Sequence, residues 1–213
     1  MKYIIMCGGK YPQWDPPKWL QIINNEPIVG RTIRLLQENG IRDIAISGTD
    51  KRLKKLGVPV LKHDNPYNNE DIEHSYWVDA FYPTDEPVCY LMGDVVFSPE
   101  AIRTIIDYKV EDVMFFASSE PAHNRGYIKD WCEPFAFKVM DTQYFRKCIN
   151  ITKEYQDQGI FTRAPIAWEL WQVIRNTRLN HIVVNYCAIN DYSCDVDSES
   201  DLLKIAQILQ DIE

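Results

Sequence analysis

The chain has 213 residues, 46% of them hydrophobic and 25% charged, the balance of one globular domain spanning residues 1–213 and not of a disordered or fibrous chain. Its 23 Lys+Arg against 31 Asp+Glu leave a formal net charge of -8, which excludes a general nucleic-acid binder; an anionic ligand must be met by a local cationic cluster or a metal. The six cysteines are scattered without a C-x-x-C pair and read as reduced thiols, and the few apolar residues before Gly8 are too short for a signal peptide or a membrane span, so a cytoplasmic protein without a membrane partner is expected.

In chain order, Tyr3-Ile4-Ile5-Met6 reads as a buried strand that opens onto Gly8-Gly9, followed by a proline- and aromatic-rich loop through residue 17. Residues 22–27 predict a short edge strand and a turn, and the stripe Ile28, Ile33, Leu35, Leu36 predicts a helix stopped at Asn39-Gly40. Strands follow at Asp43–Ser47 and Val58–Leu61, with a short basic helix between them closed by Gly57. After a polar loop from His63 to Glu73, residues 75–81 resume a helical pattern, and the apolar run to Met92 delivers Gly93-Asp94 at the end of a central strand. Ser98-Pro99-Glu100 carries the signals of a helix start. The second half predicts strands at 113–117, 134–140 and 181–189, a polar loop at 118–132, helices at 141–157 and 163–177, and a closing helix behind the capping box Ser198–Asp201. Alternating strands and helices imply an α/β fold, a wound, largely parallel sheet with helices on both faces.

Three features fall at strand ends, where α/β proteins hold ligands. Gly8-Gly9 is either a tight turn or a phosphate cradle, and it matches neither the dinucleotide nor the P-loop glycine pattern. Asp94 is either a turn or cap aspartate or a Mg²⁺ ligand. Asp195 and Asp197 are either cap and solvent acids or metal ligands; the two are expected to project to opposite sides, so that at most one faces an ion. Together these features supply carboxylates, amide donors and, in Lys10 and Lys18, positive charge, the requirements of displacement at phosphorus.

The run Gly8-Gly9, Pro17-Lys18-x-Leu20, Pro27-Ile28-Val29 and Arg31-Thr32-Ile33 resembles the start of the nucleotidyltransferase superfamily of sugar-nucleotide and cytidylyltransferases. Gly93-Asp94 resembles the metal-binding aspartate of that family, and Val196-Asp197-Ser198-x-x-Asp201-Leu202 its closing signature. Chain length, Asn65-Pro66-Tyr67 and Ser75 are similar to the small phosphocholine cytidylyltransferase-like members. The glycine loop departs from the family in lacking its arginine, for which Lys10 is the nearest substitute. The resemblance implies a Rossmann-like, GT-A-type fold with a mixed, mostly parallel sheet flanked by helices, and a Mg²⁺-dependent transfer of NMP, CMP favoured, from a nucleoside triphosphate to a phosphorylated small acceptor such as a sugar 1-phosphate or phosphocholine. Lys18, Asp94 and Asp197 are then the catalytic candidates, with Asp94 and Asp197 on the metal. Cys7, Gly8, Gly9, Lys10, Lys18, Ser75 and Gly93 line the nucleotide, and Arg125 and Lys129, with His123, meet the acceptor. A metal-dependent GT-A glycosyltransferase and a catalytically inactive nucleotide-binding protein are the alternatives; homodimerisation stays open.

Overall fold

The computed structural model describes residues 1–9, 13–65, 67, 75–120, 129, 131–177 and 185–212. The chain begins with β1 (Lys2–Met6), a 3-10 turn at Lys18–Leu20, the hairpin of β2 (Ile22–Ile23) and β3 (Glu26–Pro27), α1 (Ile28–Glu38) and β4 (Ile44–Gly48). A second 3-10 turn (Lys51–Leu56), β5 (Val60–Lys62) and a third turn (Trp77–Ala80) lead to β6 (Val88–Met92), β7 (Val95–Val96) and α2 (Pro99–Asp107). Then come β8 (Val113–Ser118), β9 (Pro134–Val139), α3 (Thr142–Asp157), α4 (Ala167–Ile174), β10 (Cys187–Ile189), β11 (Cys194–Asp195) and α5 (Glu199–Ile212).

Seven strands form one sheet in the order β10-β8-β9-β6-β1-β4-β5. All pairings are parallel except those of β9, which runs antiparallel to β6 and β8. β1 lies between β4 and β6 with Ile4 and Ile5 fully buried, which is why its sequence is continuously apolar and does not alternate. One face of the sheet carries Tyr90, Phe115 and Phe137, packed edge-on or stacked against Phe81, Phe145 of α3 and the tryptophans of α4. The other carries Phe116 and Lys138 beneath α2. The expected mixed, mostly parallel sheet with helices on both faces is the fold observed.

Local chemistry accounts for most boundaries. Ser98 caps α2 by accepting from the Ala101 amide at 2.8 Å, with Pro99 in the first turn, and α1 stops where Gly40 takes φ 79° and the Ile41 amide returns to Leu36. Asn24 and Asn25, both at positive φ, close the β2–β3 hairpin. Two expected helices contract: residues 75–81 keep only a 3-10 turn, and 163–177 keeps Ala167–Ile174. The expected last strand is observed at Cys187–Ile189; residues 181–184 lie outside the described part.

Lys138 does work that its place in an apolar strand hides. Only 5% exposed, it donates from Nζ to the carbonyls of Ile105, Ile106 and Tyr108 at 3.0, 2.7 and 2.8 Å, and so caps the end of α2 with a charge of the favourable sign. Lys138→Met is expected to cost about 2–3 kcal/mol, since it strands buried carbonyls; thermal melts that match the parent would show these contacts to be energetically neutral.

Candidate functional site

The site forms at the carboxyl end of the parallel strands. β6 leaves the sheet so close to β1 that the Gly93 amide donates to the Met6 carbonyl at 3.0 Å, and a Cβ at residue 93 would lie 2.4 Å from that oxygen and 2.7 Å from Cys7 Sγ. Glycine is required here by close approach, and its consequence is the placement of Asp94 directly over the end of β1. The Cys7 thiol is pushed up by burial and further by the Asp94 charge, so it is a neutral packing group.

Lys18 comes from the 3-10 turn that follows the proline loop. Its side chain is 5% exposed, and its ammonium stands 2.7 Å from Asp197 Oδ1 and 3.9 Å from Asp94 Oδ2. Residues 179 positions apart are thus joined through one buried cation. Asp197 is carried there by the β7–β11 pair, in which Cys194 faces Val96 and Asp195 faces Val95, and by the Val196 amide, which donates to the Asp94 carbonyl at 3.0 Å. Val196 is fully buried in a second apolar cluster with Ile23, Ile28, Ile205 and Leu209. With Val196 turned inward, Asp195 and Asp197 share the opposite side. The expectation that they diverge is therefore corrected, because residues i and i+2 of an extended segment lie on one face.

Both acids meet Lys129. Its ammonium bonds Asp195 Oδ1, stands 2.7 Å from Glu133 Oε1 and 3.0 Å from Asp197 Oδ2, and lies 3.6 Å from Asp201. Lys129, expected to offer its charge to an acceptor, has a side chain only 7% exposed and spends that charge on these carboxylates. Glu133 went unnoticed in the sequence. It lies just before β9, and only because that strand is antiparallel does its start reach this end of the sheet, where the Glu133 amide donates to Ser118 Oγ and its Oε2 accepts from the Asp195 amide. Ser198 and Asp201 form the expected reciprocal cap of α5, at 2.8 and 3.2 Å.

The acids differ in charge state. Asp94 is pushed up to about 6 by burial, opposed by Lys18 and reinforced by Asp195 and Asp197. Asp195 is raised well above the carboxylate range by burial and by Glu133. Burial also raises Asp197, but Lys18 and Lys129 more than offset it and hold this carboxyl below the usual range. Asp197 is thus the member whose ionised form its two cations favour.

Gly8 sits against Asn65, whose Cβ would be 3.3 Å from a Cβ at residue 8. Ser75 is buried, and its carbonyl accepts from Gln156 near the end of α3. Lys10, His123 and Arg125 lie outside the described residues. A cavity of about 420 Å³ beside α3, walled by Phe81, Tyr82, Tyr90 and Phe145, contains none of the candidate residues. No described helix is long and apolar enough to cross a membrane.

No protein-family model and no curated protein matches the chain. Many solved structures are similar to it, among them two that align along nearly its whole length. A Bacillus anthracis protein assigned as a glucose-1-phosphate thymidylyltransferase, solved with sucrose, superposes with a TM-score of 0.58 at 14% identity over 100% of this chain and 96% of that one. The CTP:phosphocholine cytidylyltransferase of Streptococcus pneumoniae gives 0.55 at 17% identity over 98% of each. The chain shares the fold of these two proteins.

Asp94 provides a test of the site's electrostatics. Its native value lies above the ordinary 3.8, so the fold favours the protonated acid; that stabilisation is full below pH 3.8 and is lost as pH rises through about 6. Without divalent ions, Asp94→Asn is expected to be more stable than the parent at pH 7.5 by about 1–3 kcal/mol, with the gap closing towards pH 4. Melting curves that show the variant less stable at pH 7.5 would contradict this balance of charges.

Proposed function

We propose that the protein is a Mg²⁺-dependent nucleotidyltransferase that moves NMP, CMP favoured, from a nucleoside triphosphate to a phosphorylated small acceptor of the sugar 1-phosphate or phosphocholine kind. The observation that carries this reading is the buried Lys18 ammonium held between Asp94 and Asp197, beside the end of β1. In the reaction, an oxygen of the acceptor phosphate forms a bond to the α-phosphorus, the bond from that phosphorus to the bridging oxygen breaks, and pyrophosphate leaves with the electron pair. Little proton transfer is needed, so the protein's task is alignment and charge neutralisation.

The roles proposed for Lys18, Gly8, Gly93 and Asp94 rest on position, and those for Lys10 and Arg125 on their charge in the sequence. Lys18 exchanges part of its pairing with Asp197 for the nucleotide's phosphates, and the backbone of Cys7, Gly8 and Gly9 lines the triphosphate or base at the open end of β1. Gly93 keeps Asp94 close to that backbone. Lys10 balances the departing pyrophosphate, Ser75 contributes on the nucleotide side, and Arg125 meets the acceptor. We assign no acceptor contact to Lys129, whose ammonium is already shared among acids. The hard oxygen donors of Asp94 and Asp197 suit Mg²⁺ and would hold the ion, which neutralises phosphate charge when bound.

Pyrophosphate release from a panel of triphosphates, each with phosphocholine or sugar 1-phosphates, tests the reaction: turnover with at least one pair is expected, and nucleotide binding without turnover for any pair would overturn it. In the productive pair, Lys18→Ala is expected to lower turnover about a hundredfold to a thousandfold while melting as a folded protein. Asp197→Ala should lose activity to at least that extent, and full activity in it would transfer the metal role to Asp195.

A further inference from the structure

The carboxylate oxygens of Glu133, Asp195 and Asp197 approach one another within 4.8 Å, a spacing at which three acids can share one metal ion. That distance is about the span across a cation with oxygens at 2.3–2.6 Å, the range of calcium and near that of manganese. The centre of the trio is already filled by a charge, the Lys129 ammonium, bonded to Asp195 and lying 2.7 and 3.0 Å from Glu133 and Asp197. Asp197 serves two cations with two different oxygens: Oδ1 faces Lys18 and Oδ2 faces Lys129. One carboxylate therefore separates a side of the site that includes Asp94 from a side that includes Glu133 and Asp195.

We infer that Lys129 is a tethered counter-cation that stands in for a second divalent ion by filling the Glu133–Asp195–Asp197 position. Without Lys129 the trio would gather three carboxyl groups, with Asp201 at 3.6 Å from the same point, and only Lys18 on the far oxygen of Asp197 to offset them. A divalent ion entering there must expel an ammonium whose side chain is 7% exposed and which is shared among Glu133, Asp195 and Asp197, so the exchange sacrifices several charge-assisted contacts at once. A lysine supplies one positive charge and fixed reach, which offsets part of the acids' charge without offering open coordination positions to a substrate. The inference takes from the proposed function only that Asp94 and Asp197 hold one ion; it does not depend on which reaction follows.

The test counts metal. The full-length chain is titrated with Mn²⁺ alone, without nucleotide, and free Mn²⁺ is read by electron paramagnetic resonance. Lys129→Ala is expected to bind one more ion per chain than the parent, and Lys129→Ala/Glu133→Gln to return to the parent's number. Equal counts in the parent and Lys129→Ala overturn the inference, as does an extra ion that survives in the double variant. Should the single variant prove too unstable to titrate, its melting temperature is followed instead: Mn²⁺ must raise it more than it raises the parent's, and an equal rise contradicts the assignment. Failure of the nucleotidyl-transfer reading would appear as absent pyrophosphate release and would leave these counts unchanged.

Discussion

The organisation of the site follows from a concentration of like charge at one end of a sheet. Asp94, Glu133, Asp195, Asp197 and Asp201 converge there, and two buried ammonium groups, Lys18 and Lys129, keep them together. The pivot is the contact of Lys18 with Asp197 at 2.7 Å, which joins the amino-terminal loop to the carboxyl-terminal acids across the end of β1. Such a cluster costs desolvation and repulsion, and the cost is visible in Asp94 and Asp195, whose carboxyls are driven towards the protonated form.

What offsets that cost is apolar packing directly beneath the acids. Val96, Cys194 and Val196 lie in one cluster with Ile205 and Leu209 of α5 and with Ile23 and Ile28, so the strand pair that carries the carboxylates is anchored from below. Arg31 reinforces it: almost fully buried, it donates from Nε to the Phe97 carbonyl at 3.1 Å and from Nη2 to the Tyr192 hydroxyl at 3.2 Å, and thus binds α1 to the flanks of both β7 and β11. Ser98 ties the same flanks through Asp191 and Ser193. The acids are strained electrostatically but held mechanically, a division common at sites that must bind charge.

Much of this could be read from sequence because its signals are local. The continuous apolar runs of β1 and β6 marked a central sheet, Ser98-Pro99 marked the start of α2, and the spacing of Lys18, Asp94 and Asp197 resembled a known family. The unread parts depend on strand direction and very short elements. Glu133 joins the site only because β9 reverses, and no pattern in its own segment states that direction. β7 and β11 have two residues each, too few to display a period, so the common face of Asp195 and Asp197 had to be seen. Close packing demands Gly93, where a Cβ would collide with β1, more strictly than Gly8, where a Cβ would meet Asn65 at 3.3 Å and His63 at 3.7 Å.

In the proposed reading a polyphosphate lies at this end of the sheet, and the aromatic-walled cavity beside α3 is the alternative place for a nucleotide. A crystal structure with CTP and Mg²⁺ distinguishes the two most directly. The account predicts nucleotide phosphates on the Lys18 ammonium, between Asp94 and Asp197, with the base or triphosphate along Gly8 and Gly9. Nucleotide bound in the cavity beside α3, with Lys18 still closed on Asp197, would contradict it.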